Sequence, residues 1–191
     1  MNSTLKVALI IVGTIVIIGV VSAGWGIGQY NRVISMDEQV KAQWAQVDNQ
    51  LKRRYDLIPN LVETVRGYAT HEREVFENIA QARTQYFQAK TPADKIQASQ
   101  QLEGVLSRLL VLTETYPQLK ANESFLKLQD SLEGTENRIS VERKRYNDAV
   151  QILNSYRRSF AGRFIAAIAG VGEAKYFETP TAEREAPKVK F

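Results

Sequence analysis

Twenty-two consecutive residues, Val7 to Gly28, carry no charge. They read VALIIVGTIVIIGVVSAGWGIG, with Thr14 and Ser22 as the hydroxyls. A helix needs about 20 apolar residues to cross the hydrocarbon core of a bilayer. No polar face is left for water, so a soluble core helix fits poorly. The run reads as an uncleaved membrane anchor. Its rival is a secretory signal peptide, with Lys6 as the basic region and Val21-Ser22-Ala23 as a small-residue cleavage site. The apolar run continues past that site and a helical pattern follows, which favours the anchor. Trp25 is the expected lipid-facing anchor at headgroup level. Gly24 and Gly28 form a G-x-x-x-G pair, which either lets two helices approach closely or simply loosens the interface. Lys6 lies on one flank and Arg32 and Lys41 on the other, so charge barely orients the span.

The remaining chain repeats helical periodicity. Val33, Met36, Val40, Trp44, Val47 and Leu51 recur every three or four residues, giving one apolar stripe. No turn signal separates this stripe from the membrane run, so one long helix is expected, with the glycine cluster as the place for a bend. Pro59 then marks a break or a new first turn, with Asp56 placed to cap it. A second helix is expected over 58–89, and a third after Thr91-Pro92-Ala93-Asp94, a sequence close to a capping box. Pro117 stops the third helix and Asn122 caps a fourth over 122–158. Phe125, Leu128, Leu132, Thr135, Ile139, Glu142, Tyr146, Ala149, Leu153, Tyr156 and Phe160 form the fourth stripe. Alternating spacings of three and four pack by knobs into holes. Thr135 and Glu142 are polar on that stripe; a partly buried Glu142 needs a basic partner from another helix, which either specifies register or makes only a wet seam, and the wet seam is favoured.

Chemistry is sparse. There is no Cys, which excludes disulfides, thiolate metal sites and a Cys nucleophile. His71 is the one histidine and sits in HEREV rather than H-E-x-x-H, so the zinc-protease reading fails. No Gly-rich phosphate loop or G-x-S-x-G elbow is present. No catalytic residue, cofactor site or metal site is assigned. The net charge is only +4, and acidic residues interleave with Lys52-Arg53-Arg54 and Arg143-Lys144-Arg145. Nucleic acid needs a one-signed face, so these runs read as salt-bridged helix surfaces. Past Phe160, Phe164, Ile165 and Ile168 lie beside Arg157, Arg158 and Arg163. This end either lies on the membrane surface, with Arg157, Arg158, Arg163 and Phe164 facing lipid, or folds back over the bundle. Residues 179–191 read as a disordered tail.

Several strings are familiar together. They include Tyr30-Asn31-Arg32, the run from Trp44 to Val62 through Asp56-Leu57-Ile58-Pro59-Asn60, and Arg66-Gly67-Tyr68-Ala69. They continue with Tyr116-Pro117-Gln118-Leu119-Lys120-Ala121, Leu132-Glu133-Gly134-Thr135-Glu136-Asn137-Arg138-Ile139, Tyr146-Asn147 and Tyr176-Phe177. Over residues 30–178 the chain resembles the LemA family of bacterial membrane proteins. That resemblance implies an all-α fold: an N-terminal transmembrane helix followed by an antiparallel long-helix bundle. The expected division is a short tail 1–6, a span 7–28, a bundle 29–178 and the tail 179–191. It also implies the bacterial inner membrane, a single pass, and a bundle in the cytoplasm. Related members in magnetosome-forming bacteria are linked to organelle biogenesis, and no catalytic residue carries over. The family commonly has Phe-Pro where this chain has Phe160-Ala161, so the final helix is expected to run further here. The familiar Tyr-Asn appears as Leu153-Asn154.

The shared strings also have a physical reading. Asp56 and Asn60 around Pro59 suit a helix–helix corner, where they meet exposed backbone N–H groups. Glu136, Asn137 and Arg138 lie inside a helix, where Asn is a poor former. Such a trio beside a Leu/Ile stripe makes either an interhelical polar network or a protein contact. The functional expectation is a non-enzymatic membrane-anchored scaffold or adaptor that self-associates or binds a membrane protein. Its alternative is a lipid-surface or membrane-organising protein that uses basic helix faces and the 157–168 segment. No nucleic acid or small-molecule substrate is expected; the lipid bilayer is.

Overall fold

The structure, a computed structural model, describes residues 3–69 and 71–178. Its helices are α1 (Ser3–Arg66), α2 (Arg73–Gln88), α3 (Pro92–Thr115), α4 (Pro117–Lys120), α5 (Glu123–Arg158) and α6 (Phe160–Ile168). No strand occurs among the described residues. The all-α reading, with one long apolar N-terminal helix and a helical bundle, therefore holds. The expected tail 179–191 lies outside the described residues.

The chain divides into two compact units. The first contains Met1–Lys41 and Ala149–Ala174. Here α1 opens with its transmembrane stretch, whose mean hydropathy reaches 2.3. No protein covers that stretch: Ile10 and Val20 are each 67% exposed. Burial starts past Gly28, with Val33 and Val40. Val150, Leu153, Ala166 and Val171 complete the unit's core.

The second unit contains Ala42–Asp148 and Lys175–Phe191. Val47, Leu51, Tyr55, Ile58, Leu61 and Val65 of α1 are buried at the expected spacing. Phe76, Ile79, Ala82 and Tyr86 face inward from α2, and Leu102, Leu106 and Leu109 from α3. Phe125, Thr135, Ile139 and Tyr146 do so from α5. Trp44 meets Tyr146 edge-on at 5.4 Å, and Arg54 meets Glu136, so α1 and α5 run antiparallel here. Thr91 Oγ1 accepts from the Asp94 amide at 3.2 Å, which caps α3 as its sequence predicts. Asn122 Oδ1 accepts from the Phe125 amide at 3.0 Å and caps α5 in the same way. The connector after Pro117 is a single turn, α4, whose Leu119 is fully buried.

Three expectations are corrected. Pro59 is neither a break nor a first turn: it lies inside α1. An interior proline costs about 3 kcal/mol. Tyr55, Ile58, Leu61 and Val65 are each at most 1% exposed around it, and each such burial is worth about 1.5–3 kcal/mol. Packing on both sides outweighs the lost bond, and Pro59 itself faces solvent. The first corner falls instead at residues 67–72. There the amides of Tyr68 and Ala69 both donate to the Val65 carbonyl at 2.9 Å, and Ala69 is fully buried. Asp56 and Asn60 are thus exposed mid-helix residues rather than corner residues.

The last helix also differs. α5 stops at Arg158 and does not run on through Phe160-Ala161. Ser159 leaves the helical region (φ −68°, ψ 158°), and its hydroxyl accepts from the Gly162 amide at 3.1 Å, starting α6 afresh. Phe160 does not join the α5 stripe; it is 86% exposed. Third, of the readings of Glu142 the interhelical partner is the one not met: Arg145 Nη1 of its own helix lies 2.8 Å from it.

Candidate functional site

Two polar groupings tie the second unit together. In the first, Asp48 of α1 accepts from Tyr86 Oη of α2 at 2.7 Å. Lys95 Nζ of α3 donates to both Asp48 oxygens, at 2.7 and 2.8 Å. One carboxylate therefore joins three helices. The Tyr86 ring stacks on Tyr55 at 3.9 Å, and both side chains are almost fully buried. Burial pushes the Tyr55 and Tyr86 phenols above their ordinary range; for Tyr86 the bond to Asp48 adds to the rise. Burial also raises Tyr146.

In the second grouping, Arg54 of α1 pairs with Glu136 of α5. Their side chains are 12% and 34% exposed, so the Arg end is the drier. The pair borders an apolar cavity of about 160 Å³ between α1, α3 and α5. Leu61, Leu106, Leu109, Leu110 and Leu132 supply its walls. Leu110 is 43% exposed, so the cavity meets the surface.

In the first unit the site forms where the membrane run ends. Tyr156 Oη of α5 donates to Gln29 Oε1 at 3.1 Å, and the Arg32 guanidinium lies 5.6 Å from the Tyr156 ring centre. Gly162 is required here: a Cβ would lie 1.9 Å from the Tyr156 carbonyl oxygen. α6 buries Gly162 and Ala166 and leaves Phe160, Phe164 and Ile168 outside. The outcome divides the sequence alternatives, since one face of α6 folds back and the other does not.

Past α6 the chain runs extended along α5. Asn154 donates to the Ala174 carbonyl at 2.9 Å and accepts from its amide at 3.2 Å. Asn147 treats Phe177 the same way, at 2.9 and 2.8 Å. Tyr146 Oη adds a bond to the Lys175 carbonyl at 2.7 Å.

The residues singled out from sequence fall apart into separate places. Of the trio, Glu136 enters an interhelical pair, while Asn137 and Arg138 face solvent. Asp56, Pro59 and Asn60 lie on the exposed side of α1. Trp25 is 56% exposed beside the membrane run. Arg158, Arg163 and Phe164 are exposed and Arg157 is half-buried. Arg54 leaves the basic run Lys52-Arg53-Arg54, whose other members face water. Sequence reading passed over Asp48, Tyr86, Lys95, Asn147 and Asn154. The asparagines had a signal: two weak helix formers seven residues apart share one helix face. Asp48 and Lys95 had none, since nothing local links residues so far apart. No cluster of three His, Cys, Asp or Glu suited to a metal occurs among the described residues.

Comparison with known proteins follows this geometry. The profile of the LemA family matches residues 43–191. Magnetosome protein MamQ 2 of Paramagnetospirillum magneticum is 24% identical, over 81% of this chain and 66% of its own length. Magnetosome protein MamQ of Magnetospirillum gryphiswaldense is 22% identical with the same coverage. The chain thus spans just under two thirds of the length of these relatives. Protein LemA of Metamycoplasma hominis is 21% identical, over 83% of this chain and 73% of its own length.

Proposed function

The chain belongs to the LemA family, and from that membership we propose that it is a membrane-anchored scaffold that self-associates or holds a membrane-protein partner. The observation that carries this reading is α1 itself. The helix with the transmembrane stretch also supplies Val47, Leu51, Tyr55 and Leu61 to the bundle core. A fold whose anchor is part of its core ties the domain's stability to its attachment at the bilayer. The part-buried ion pairs join helices: Asp48 joins three and Glu136 joins two. Among the described residues, titration is shifted at the buried phenols Tyr55, Tyr86 and Tyr146, raised by burial, and at the exposed Lys41 and Arg73, raised by carboxylates of their own helix; none of these lies in a cleft of converging acids and bases, the mark of an active site. Three relatives bear the name of a membrane organelle, the magnetosome, which supports a role in organising membrane.

The contact surface we assign is the open apolar cavity at Leu110, with Leu126 and Val111 as exposed apolar neighbours in sequence on α5 and α3. An apolar side chain from a partner fits such a seat, with Arg54 and Glu136 at its edge. The bundle is placed in the cytoplasm, where anionic lipids meet Arg157, Arg158 and Arg163. The test is the mass of the full-length protein in mild detergent, with co-purifying chains identified. A discrete multimer or a stoichiometric partner is expected, and Leu110→Glu should disperse it. A clean monomer with nothing bound overturns the scaffold.

A further inference from the structure

We propose that α6 is a second membrane contact, a short amphipathic helix in the headgroup region of the same bilayer that α1 crosses, held by anionic phospholipid. The inference rests on α1 as the anchor and deepens it.

Three observations carry it. The first is shape. At 3.6 residues per turn, Phe160, Arg163, Phe164, Ala167 and Ile168 share an arc of about 140°. Phe160 is 86%, Phe164 58% and Ile168 75% exposed, while Gly162 and Ala166 on the other side are buried. The arc's one charge is Arg163. A nine-residue helix that gives its small residues to the protein and its large apolar ones to the outside is built inside out for water.

The second is position. Gln29 is the first amide-bearing side chain after the apolar stretch Val7 to Gly28, three residues before the first charge at Arg32, and Tyr156 bonds to it. Phe160 follows Tyr156 by four residues, just past the break at Ser159 that starts α6. Trp25 precedes Gln29 by the same number of residues. The apolar arc therefore begins close to the end of the apolar stretch of α1, and the membrane there is its nearest apolar surface.

The third is charge. Arg157 and Arg158 close α5 and Arg163 lies within α6, against one acid, Glu173. Asn154, Arg157, Arg158 and Glu173 line a cavity of about 280 Å³. Arg157 Nε is buried there without a hydrogen-bond partner among the described residues. A lipid phosphate suits a paired arginine seat.

The chain has no Cys, so single cysteines can be placed and spin-labelled cleanly. Phe164→Cys and Ile168→Cys go into the full-length protein in bilayers of phosphatidylglycerol and phosphatidylcholine. Ile15→Cys in the span and Ser131→Cys on exposed α5 serve as references, and helicity by circular dichroism checks each variant. Collisions with oxygen, which enriches in lipid, are compared with those of an aqueous nickel complex. Labels at 164 and 168 are expected to prefer oxygen several-fold more than the label at 131. Changing Arg157, Arg158 and Arg163 to Gln should lower that preference. A water-like reading at 164 and 168, with Ile15 reporting lipid, overturns the proposal and leaves the anchor standing. Spin–spin broadening without an oxygen preference overturns it in favour of a second copy on this face. An unchanged preference in the Gln variant removes anionic lipid as the occupant. A water-like reading at Ile15 sinks the anchor and α6 with it.

Discussion

Tyr55, Tyr86 and Tyr146 show what burial does to a single group. Each is at most 2% exposed, and each phenol holds its proton beyond the ordinary range. The ordinary phenol ionises near pH 10, and an unfolded chain does so there. Below that pH both states keep their protons and the stabilisation is complete. Above it the unfolded state loses protons that the folded state retains, so stability falls as pH rises, by up to about 1.4 kcal/mol per pH unit for each phenol. Tyrosinate absorbance from these three should therefore appear together with the loss of helical dichroism. If all eight tyrosines ionise while the helices persist, burial does not govern them. Arg54 makes a second residue-scale case. Removing it leaves a carboxylate that is one third exposed, so the cost is expected to fall near 2 kcal/mol, below that of a fully buried pair. A double-mutant cycle of Arg54→Met and Glu136→Leu should return a coupling of about 1–2 kcal/mol; a coupling of zero would show the two side chains to be independent.

At the scale of the element, Pro59 is the informative residue. Inside an α-helix, proline forgoes one backbone bond and crowds the preceding turn. Pro59→Ala should stabilise the bundle by about 2–3 kcal/mol in denaturant unfolding with no loss of helicity. Were Pro59 the first residue of a new helix, alanine would gain nothing. The sequence made the helices legible wherever a signal was local. Thr91-Pro92-Ala93-Asp94 and Asn122 cap what they promise to cap, and the stripes from Val33 to Leu51 and from Phe125 to Tyr146 supply buried residues. It misled where a local preference met distant packing. Pro59 reads as a breaker because what holds its helix together, the burial of Tyr55, Ile58, Leu61 and Val65, depends on other elements. Residues 67–72 carry only Gly67 as a turn signal, and the true corner is closed by backbone bonds to Val65. Ser159 acts as a cap only because Gly162 admits the Tyr156 carbonyl beside it. The site follows the same rule: Glu136 stands out as part of a polar trio beside an apolar stripe, while its partner Arg54 is hidden in a basic run.

For the molecule as a whole, the question is where association is encoded. A Cβ added to any glycine of the membrane run would have nothing within 4 Å, and among the described residues no second helix packs against these positions. The bundle, by contrast, carries an open leucine-lined cavity. Exchanging the span for polyleucine should therefore leave the assembly size unchanged in detergent. A fall to monomer on that exchange would move association into the lipid phase. The strap on α5 bears on the whole chain in another way. Asn147 and Asn154 grip main-chain atoms, which every residue but proline offers alike. They read the chain without reading its letters. Phe177 and Val171 are fixed by the core, but Lys175 and Tyr176 are exposed. Those two positions form a short strip where sequence drifts at little cost, and where a new binding epitope can be written without disturbing the fold beneath it.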